Sequence, residues 1–241
     1  MTQIWADSNR QQNRQRVLVF LQTVLIPDLF DLALMFRADK IILHESERWS
    51  RKGRTHRARI RTPDGTDYLS VPILKSDRRR PICEVRIDQK QDWFTPLWRT
   101  LEFNYRNSIY FDFYEPEIHA DLSEGLHFDY LNDFSAYLRK RLFRYLEIGL
   151  QADIHLTSQI ENYTSDPDLL ARRLHGEVYY QEHHSRHYMR QGKRRKIPDF
   201  THPLYRQHFE GFEPFCCLYD LLFQYGPESF QIVDRLRTDK D

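Results

Sequence analysis

Three consecutive segments near the start of the chain constrain its fold more than any other feature. RVLVFLQ, from Arg16, is apolar over the length of a strand, DLFDLALMFRA, from Asp28, is apolar nearly all round, and KIILHES, from Lys40, is apolar again. Pro27 suits the first turn of a helix, where its missing N–H costs nothing. Because parallel strands need a crossover and their sheet is covered on both faces, this pattern predicts an α/β fold. We expect a mostly parallel central sheet with helices on both faces.

A second strand–helix–strand unit is predicted further along the chain. It consists of ADIHLTSQI, then DPDLLARRLHG, then EVYYQ. Asp166 suits the N-cap of this helix, Pro167 its first position and Gly176 the residue just past its end. The following segment, residues 182–202, is rich in His, Arg and Lys and is typical of a long basic loop.

An antiparallel basic hairpin is predicted between the two units. HRARIR and YLSVPI alternate in polarity, and TPDG between them supplies Asp64-Gly65 for the turn. Because side chains alternate across a strand, Arg57, Arg59 and Arg61 share one face. The alternation of ICEVRID predicts a third strand beside the hairpin, and KSDRRRP before it indicates an exposed loop.

The remaining apolar patterns predict helices. WFTPLWRTLEFNYRNSIYFDFY, from Trp93, is expected to be partly helical, and NDFSAYLRKRLFRYLEIG is expected to form a surface helix. The basic run of the second segment is most simply a solvated face. A short apolar helix is predicted to end at Gly226-Pro227, and its Asp220 needs a buried partner such as Arg57 or another hairpin arginine.

Composition sets the class of protein. The 241 residues are 40% hydrophobic, which is enough for one domain over 16–241, and we expect the polar residues 1–15 to form a disordered tail. We find neither an apolar run of about 18 residues nor a signal peptide, so the expected protein is cytoplasmic with no membrane span. The cysteines, three in number, imply no disulfide framework. A net charge of +1 argues against a general nucleic-acid binder.

No metal is predicted, and no cofactor is identified. The histidines at 183, 184, 187 and 202 match no metal-binding template, and the surrounding Arg and Lys residues repel cations. Glycine-rich nucleotide motifs, a P-loop and a nucleophile elbow are also absent from the sequence.

The arginine face and the end of the second strand are the candidate functional features. Guanidinium groups grip phosphate or carboxylate bidentately, so a row of them can form an anion site. Such a face can equally be charged for solubility or neutralised by nearby carboxylates. His44 and Glu45 are acid/base candidates because ligands of open α/β sheets lie beyond the carboxyl ends of strands. An ion-paired loop is the structural alternative for these two residues. Most aromatics from 93 to 114 are assigned to packing, with Tyr105 kept as a candidate for stacking on substrate.

The chain resembles the WbqC-like family of bacterial proteins from about residue 17 to 230. RAD closes the first helix, and RWSRKGRTHRARI places Lys52 and Arg57 where the family has a Lys and an Asn-Arg signature. LSVPI corresponds to a Leu-Thr-Val-Pro-Val strand, and LYDLLFQYGPES to a Leu-Asp-Leu-Leu-Phe-Asn-x-Gly-Pro-Glu ending. VRID and WRTLEFNYRNSIYFDFY are further matching pieces.

The sequence departs from that family pattern at two places. Many relatives carry His-Gln-Pro-x-Tyr-Leu-Pro-Trp at the first strand-to-helix turn, where this chain has LQTVLIPD and keeps Gln22 and Pro27. Many also have Asp-Asp after the second strand, where this chain has His44 and Glu45. A His-Glu pair together with the GPES ending is similar to one branch of the family.

The resemblance implies a role in surface-polysaccharide or amino-sugar biosynthesis, with a nucleotide sugar or another anionic small molecule as partner. Our first hypothesis is a transferase of acyl type acting on an amino sugar. Glu45 or His44 would act as the base, and Lys52, Arg57, Arg59, Gln22 and Tyr105 would bind substrate. The alternative is a non-catalytic binding or scaffold protein that uses the arginine face for an anionic ligand or an acidic partner. A third, weaker hypothesis is RNA contact through GKRRK and DRRR.

Overall fold

The computed structural model describes residues 16–181, 195–196 and 199–238. The predicted tail, residues 1–15, lies outside the described residues. The strands are β1 Val17–Gln22, β2 Lys40–His44, β3 Arg57–Thr62, β4 Gly65–Ser70, β5 Asp153–Leu156, β6 Val178–Gln181 and β7 Arg195–Lys196. The α-helices are α1 Leu29–Arg37, α2 Phe94–Tyr105, α3 Phe111–Ser123, α4 Leu131–Tyr145, α5 Pro167–Arg173, α6 Leu218–Tyr225, α7 Phe230–Val233 and α8 Arg235–Thr238. Short 3₁₀ segments cover Lys75–Asp77, Ile82–Glu84, Glu124–His127, Thr157–Gln159 and Gly226–Ser229.

Five of these strands form a parallel sheet in the order β5-β2-β1-β6-β7. α1 connects the neighbouring strands β1 and β2, as the apolar pattern predicts. α5 belongs to a longer crossover, because β5 and β6 are separated in the sheet by β2 and β1. β7 corrects the prediction of a loop over 182–202, since Arg195 and Lys196 pair with β6. Residues 182–194 and 197–198 lie outside the described part of the chain.

Helices cover both faces of the sheet, which confirms the predicted α/β fold. On one face, Val19 and Leu21 of β1 pack against Leu34 and Met35 of α1. On the other face, the side chains of β1 and β2 pack against α5, including Leu18, Phe20, Ile42, Leu170 and Ala171. α1 is apolar nearly all round because its opposite side, with Leu29 and Leu32, packs into a second layer.

That second layer contains α2, α3, α4, α6 and the β3–β4 hairpin. Ala58 and Ile60 of β3 and Leu69 of β4 are buried against these helices. Arg57 and Arg59 are half-buried, whereas Arg61 is buried and donates to the backbone carbonyls of three residues, namely Thr62, Gly65 and Glu210. The predicted hairpin is therefore correct, but Arg61 is committed to structure.

The predicted third strand, ICEVRID, is wrong. Ile82–Glu84 is a 3₁₀ segment, and the rest of ICEVRID makes only isolated bridges, one of them between Ile73 and Ile87. The N–H groups of Ile82 and Cys83 donate to carbonyls in the loop after β2 rather than to the hairpin. KSDRRRP is mostly exposed, as predicted, except for Asp77, which is buried and pairs with the guanidinium of Arg86 at 2.9 Å.

Asp220 of α6 has neutral partners instead of the predicted arginine. Its carboxylate accepts hydrogen bonds from the hydroxyls of Tyr105 (2.8 Å) and Tyr205 (2.7 Å) and from the amide of Gln207 (2.9 Å). The Tyr105 hydroxyl also accepts from the backbone N–H of Arg61, at 2.9 Å. This network therefore ties the hairpin to α2 and α6.

The basic run of α4 is only partly a solvated face. Lys140 and Arg144 are exposed, Arg139 is half-buried, and Arg141 pairs at 2.7 Å with buried Asp121. Two tyrosine hydroxyls from α4 also donate to Asp121, which explains how this carboxylate is accommodated in the interior.

Two further features bear on the class of protein. The three cysteines are free thiols. Among the described residues, none of the helices has both the length and the apolar character needed to cross a bilayer.

Candidate functional site

Polar side chains meet where β1, β2 and β5 end. Gln22, the last residue of β1, lies directly opposite His44, the last residue of β2, and Thr157 follows β5. The carboxyl ends of parallel strands share one edge of the sheet, which is where ligands of open α/β sheets bind. We call this group the polar edge, and it comprises Gln22, Thr23, His44, Glu45, Glu47, Asn132, Thr157, Ser158 and Tyr163.

Glu45 lies at the centre of the polar edge, and its side chain is 1% exposed. Asn132, in the first turn of α4, donates to one carboxylate oxygen, and the exposed Ser158 donates to the other. The Thr157 hydroxyl accepts from the backbone N–H groups of Glu45 (3.1 Å) and Ser46 (3.0 Å), which fixes the turn after β2. Glu45 is therefore a buried carboxylate held in place from two other elements.

His44 is a neutral imidazole at physiological pH. Burial lowers its pKa to about 3, because the cation would lose its hydration in the interior. The ring meets that of Phe20 edge-on, with centroids 5.2 Å apart. Nδ1 lies 3.5 Å from the hydroxyl of Tyr163, which also donates to Glu47 at 3.3 Å. Burial raises the pKa of Glu47, although the hydrogen bond from Tyr163 opposes that shift.

Three buried polar atoms of the polar edge have no hydrogen-bond partner within the described structure. They are Nε2 of Gln22, Oγ1 of Thr23 and Nε2 of His44. Leaving such an atom unsatisfied costs about 1–3 kcal/mol, so native proteins rarely leave several together. Three such atoms at the ends of two adjacent strands make the polar edge a candidate site for a hydrogen-bonding ligand.

The loop after β2 continues this pattern and is tied to the first strand-to-helix turn. Nε1 of Trp49, Oγ1 of Thr55 and Nδ1 of His56 are also buried with no hydrogen-bond partner in the described part of the chain. Arg54 anchors the loop through a 2.6 Å ion pair with Asp31 in the first turn of α1. The same guanidinium pairs with Asp28, the residue that caps α1, at 2.8 Å.

The predicted site residues fall into three places. Gln22, His44 and Glu45 come together in the polar edge, as described above. Lys52 is exposed on the loop, and Arg57 beside it donates to the carbonyls of Gly53 (3.1 Å) and Lys52 (2.9 Å). The Arg57 guanidinium also lies over the ring of Tyr68, 4.2 Å from its centroid. Within the described residues, no hydrogen bond or ion pair joins Lys52 or Arg57 to Glu45.

Arg59 and Tyr105 lie away from the polar edge. Arg59 donates to the hydroxyl of Thr66 at 3.0 Å and lies 3.6 Å from the carboxylate of Glu213. Tyr105 is fully buried in the Asp220 network. Both side chains are engaged in holding the hairpin.

Sequence reasoning missed Thr23, Glu47, Asn132, Thr157, Ser158 and Tyr163. The rule that led to His44 and Glu45 also points to Thr157 and Ser158, since both follow the carboxyl end of β5. Asn132 and Tyr163 carry no comparable signal, because their proximity to the site arises only from the tertiary fold. Over the described ranges no group of three His, Cys, Asp or Glu side chains is arranged to hold a metal ion, and the absence of a metal stays a prediction.

Comparison with known proteins identifies the family. The model of the WbqC-like protein family matches residues 22–232, a range that includes every residue of the polar edge. The chain belongs to the WbqC-like family. This WbqC-like protein is 29% identical over 221 residues to a Mycobacterium tuberculosis protein named "Uncharacterized protein Rv1507c", covering 83% of this chain and 89% of that relative. No solved structure matches it significantly.

Proposed function

We propose that this WbqC-like protein binds a nucleotide sugar or a related anionic sugar derivative at the polar edge and transfers an acyl group to the amine of an amino sugar. The observation that carries the proposal is the set of three unpartnered polar atoms, on Gln22, Thr23 and His44, beside the buried carboxylate of Glu45. A sugar presents several hydroxyls and an amine, which can satisfy these atoms.

Glu45 is assigned the role of base in this transfer. The amine nitrogen forms a bond to the acyl carbon while the bond from that carbon to the donor's leaving group breaks. Glu45 takes the proton that the amine loses, and the proton passes on to the leaving group. Asn132 and Ser158 hold the carboxylate in one orientation for this step.

His44 is assigned a binding role, because an imidazole with a pKa of about 3 is a weak base at neutral pH. Its free Nε2 can donate to or accept from a sugar hydroxyl, as can the hydroxyl of Thr23. The exposed ammonium of Lys52 and the guanidinium of Arg57 are assigned to the anionic part of the ligand.

One observation favours the alternative of a binding protein without catalysis. Both carboxylate oxygens of Glu45 already accept hydrogen bonds, and the side chain is almost completely buried. In this alternative Glu45 is a structural carboxylate that shapes the polar edge, and the ligand contacts only Gln22, Thr23 and His44.

A thermal-shift panel of nucleotide sugars, nucleoside phosphates and acyl-CoA tests the binding site. We expect one ligand class to raise the melting temperature of the wild type saturably. Gln22→Leu, which removes the polar group at nearly constant volume, should abolish the shift while leaving the unliganded protein folded. Arg78→Gln, in an exposed loop, is the control and should retain the full shift. Equal shifts for Gln22→Leu and wild type would refute the polar edge as the site.

Glu45→Gln separates catalysis from binding. For a catalytic base we expect turnover to fall by about 10²–10⁴-fold while the ligand-induced thermal shift remains. Glu84→Gln, at an exposed carboxylate, should leave turnover unchanged. Turnover in Glu45→Gln equal to that of wild type would remove Glu45 from the mechanism, and a shift with no turnover in wild type would favour the binding protein.

A further inference from the structure

A second concave surface lies between the carboxyl-terminal half of α4 and the edge strand β5. We call it the α4 groove, and its lining comprises Ala136, Arg139, Lys140, Phe143, Arg144, Glu147, Ile148, Gly149 and Ile154. It is separate from the polar edge, because the only α4 residue in that site is Asn132, in the first turn. At 1.5 Å per residue, Arg139 lies about 10 Å further along the helix and Arg144 about 18 Å.

The charges of the α4 groove are unbalanced. Three cations, Arg139, Lys140 and Arg144, line it together with one carboxylate, Glu147. None of the three cationic side chains forms an ion pair or hydrogen bond with a described residue, in contrast to Arg141 on the same helix, which pairs with Asp121. Arg139 is half-buried, and burial lowers its pKa. A partly buried guanidinium that has no anion beside it produces a positive local potential, which favours the binding of an anion.

The rest of the lining is apolar. Phe143 and Ile148 are half-buried, and Ile154 on the edge strand is 36% exposed. Basic groups beside an apolar floor suit a ligand that has both phosphate oxygens and a flat ring.

We propose that the α4 groove is a binding site for a nucleoside phosphate, with Arg139, Lys140 and Arg144 contacting the phosphates and Phe143, Ile148 and Ile154 contacting the base. The proposal goes beyond the function assigned to the polar edge and concerns a different surface. Planar guanidinium groups match phosphate geometry bidentately, and Arg also stacks on nucleobases.

The position of these cations also has a purely structural explanation. Basic residues in the last turns of a helix interact favourably with its dipole, and their stems cover apolar surface. This explanation predicts that the arginines contribute to stability alone. It requires neither a concave surface nor an apolar floor and gives Glu147 no effect on anions, so the two explanations differ in a measurable way.

Isothermal titration of the full chain with ADP, pyrophosphate and adenosine tests the proposal. ADP should bind saturably, pyrophosphate more weakly and adenosine not at all, and ADP binding should weaken as salt is raised. Arg139→Gln and Arg144→Gln should each weaken ADP binding roughly tenfold, the value of about one charge-assisted hydrogen bond. Glu147→Gln should tighten it, an outcome that a poorly folded variant cannot mimic.

The controls assign any binding to one surface. Arg78→Gln removes the same charge outside the groove and should bind ADP like the wild type. Gln22→Leu, in the polar edge, should also bind ADP normally at the α4 groove. The thermal-shift comparison of Gln22→Leu with wild type is therefore made in an Arg139→Gln, Arg144→Gln background, which removes the contribution of the groove. ADP binding that Gln22→Leu abolishes and Arg139→Gln does not affect would overturn the proposal, as would no ADP binding at low salt. Because the two surfaces respond to different variants, failure here is distinguishable from failure at the polar edge.

Discussion

The imidazole of His44 illustrates how burial fixes the chemistry of a single residue. The side chain is 2% exposed, packs edge-on against Phe20 and contacts no carboxylate among the described residues that could stabilise a cation. The protein therefore keeps it neutral, as a hydrogen-bonding group rather than a charge. The same residue connects the chemistry of the polar edge to stability, because its protonation is linked to unfolding.

We predict that stability falls on acidification because of His44. The unfolded chain binds a proton on this imidazole near pH 6.5, whereas the folded protein does so only near pH 3. Between these values the unfolded state holds more protons, so the free energy of unfolding decreases as the pH is lowered. The contribution lost between pH 7.5 and 5.0 is about 2 kcal/mol. The full stabilising contribution of neutral His44 is present above pH 6.5.

Urea unfolding of wild type and His44→Gln at pH 7.5 and 5.0 measures this contribution. His44→Gln should lose about 2 kcal/mol less than the wild type over that interval, since its side chain does not titrate. His127→Gln, at an exposed position, serves as the control for removing a histidine. An identical pH dependence for wild type and His44→Gln would contradict the assignment of a buried, neutral imidazole.

At the scale of elements, the packing of α6 depends on the glycine at its C-terminal end. Gly226 caps the helix with a φ of 48°, in the left-handed region that favours glycine. A Cβ atom at this position would lie 2.6 Å from the ring of Tyr110. The N–H of Tyr110 donates to the carbonyl of Phe223 in α6 at 2.9 Å, so the close contact connects α6 to the α2–α3 turn.

We predict that Gly226→Ala lowers the free energy of unfolding by about 2–4 kcal/mol, through backbone strain and the clash with Tyr110. Gly149→Ala is the matched control, because its Cβ would have no neighbour within 4 Å and its φ is not positive. Urea unfolding should show Gly149→Ala within about 0.5 kcal/mol of the wild type. Equal stability of the two variants would show that the α6 cap is not restricted in this way.

The sequence predicts well those elements that are specified by residues within them or next to them in the chain. β1, α1 and β2 follow from consecutive apolar runs, and the end of α6 follows from Gly226. Sequence patterns do not predict contacts between residues that are far apart in the chain. Arg61 is buried because a carbonyl 149 residues away, that of Glu210, accepts from it. Glu45 was found as a strand-end carboxylate, but its partners Asn132 and Ser158 lie 87 and 113 residues along the chain.

The whole molecule joins an α/β sheet and a helical layer, and the polar edge lies where they meet. The loop after β2 is bonded to the 3₁₀ segment Ile82–Glu84, whose Ile82 packs into the core of the second layer. The N–H of Cys83 in this segment donates to the carbonyl of Glu45 at 2.9 Å. Asn132 approaches Glu45 from α4 in that same layer. A ligand at the polar edge would therefore contact segments that are far apart in sequence and would stabilise the junction of the two layers.

Hydrogen–deuterium exchange with the stabilising ligand from the thermal-shift panel tests the central claim most directly. Amides of residues 22–25, 44–47 and 157–163 should exchange more slowly with ligand bound, because these three segments build the polar edge. The hairpin over 57–70 should change less, and Gln22→Leu should remove the protection. Protection confined to the hairpin, or no protection at the three strand ends, would contradict the assignment of the site.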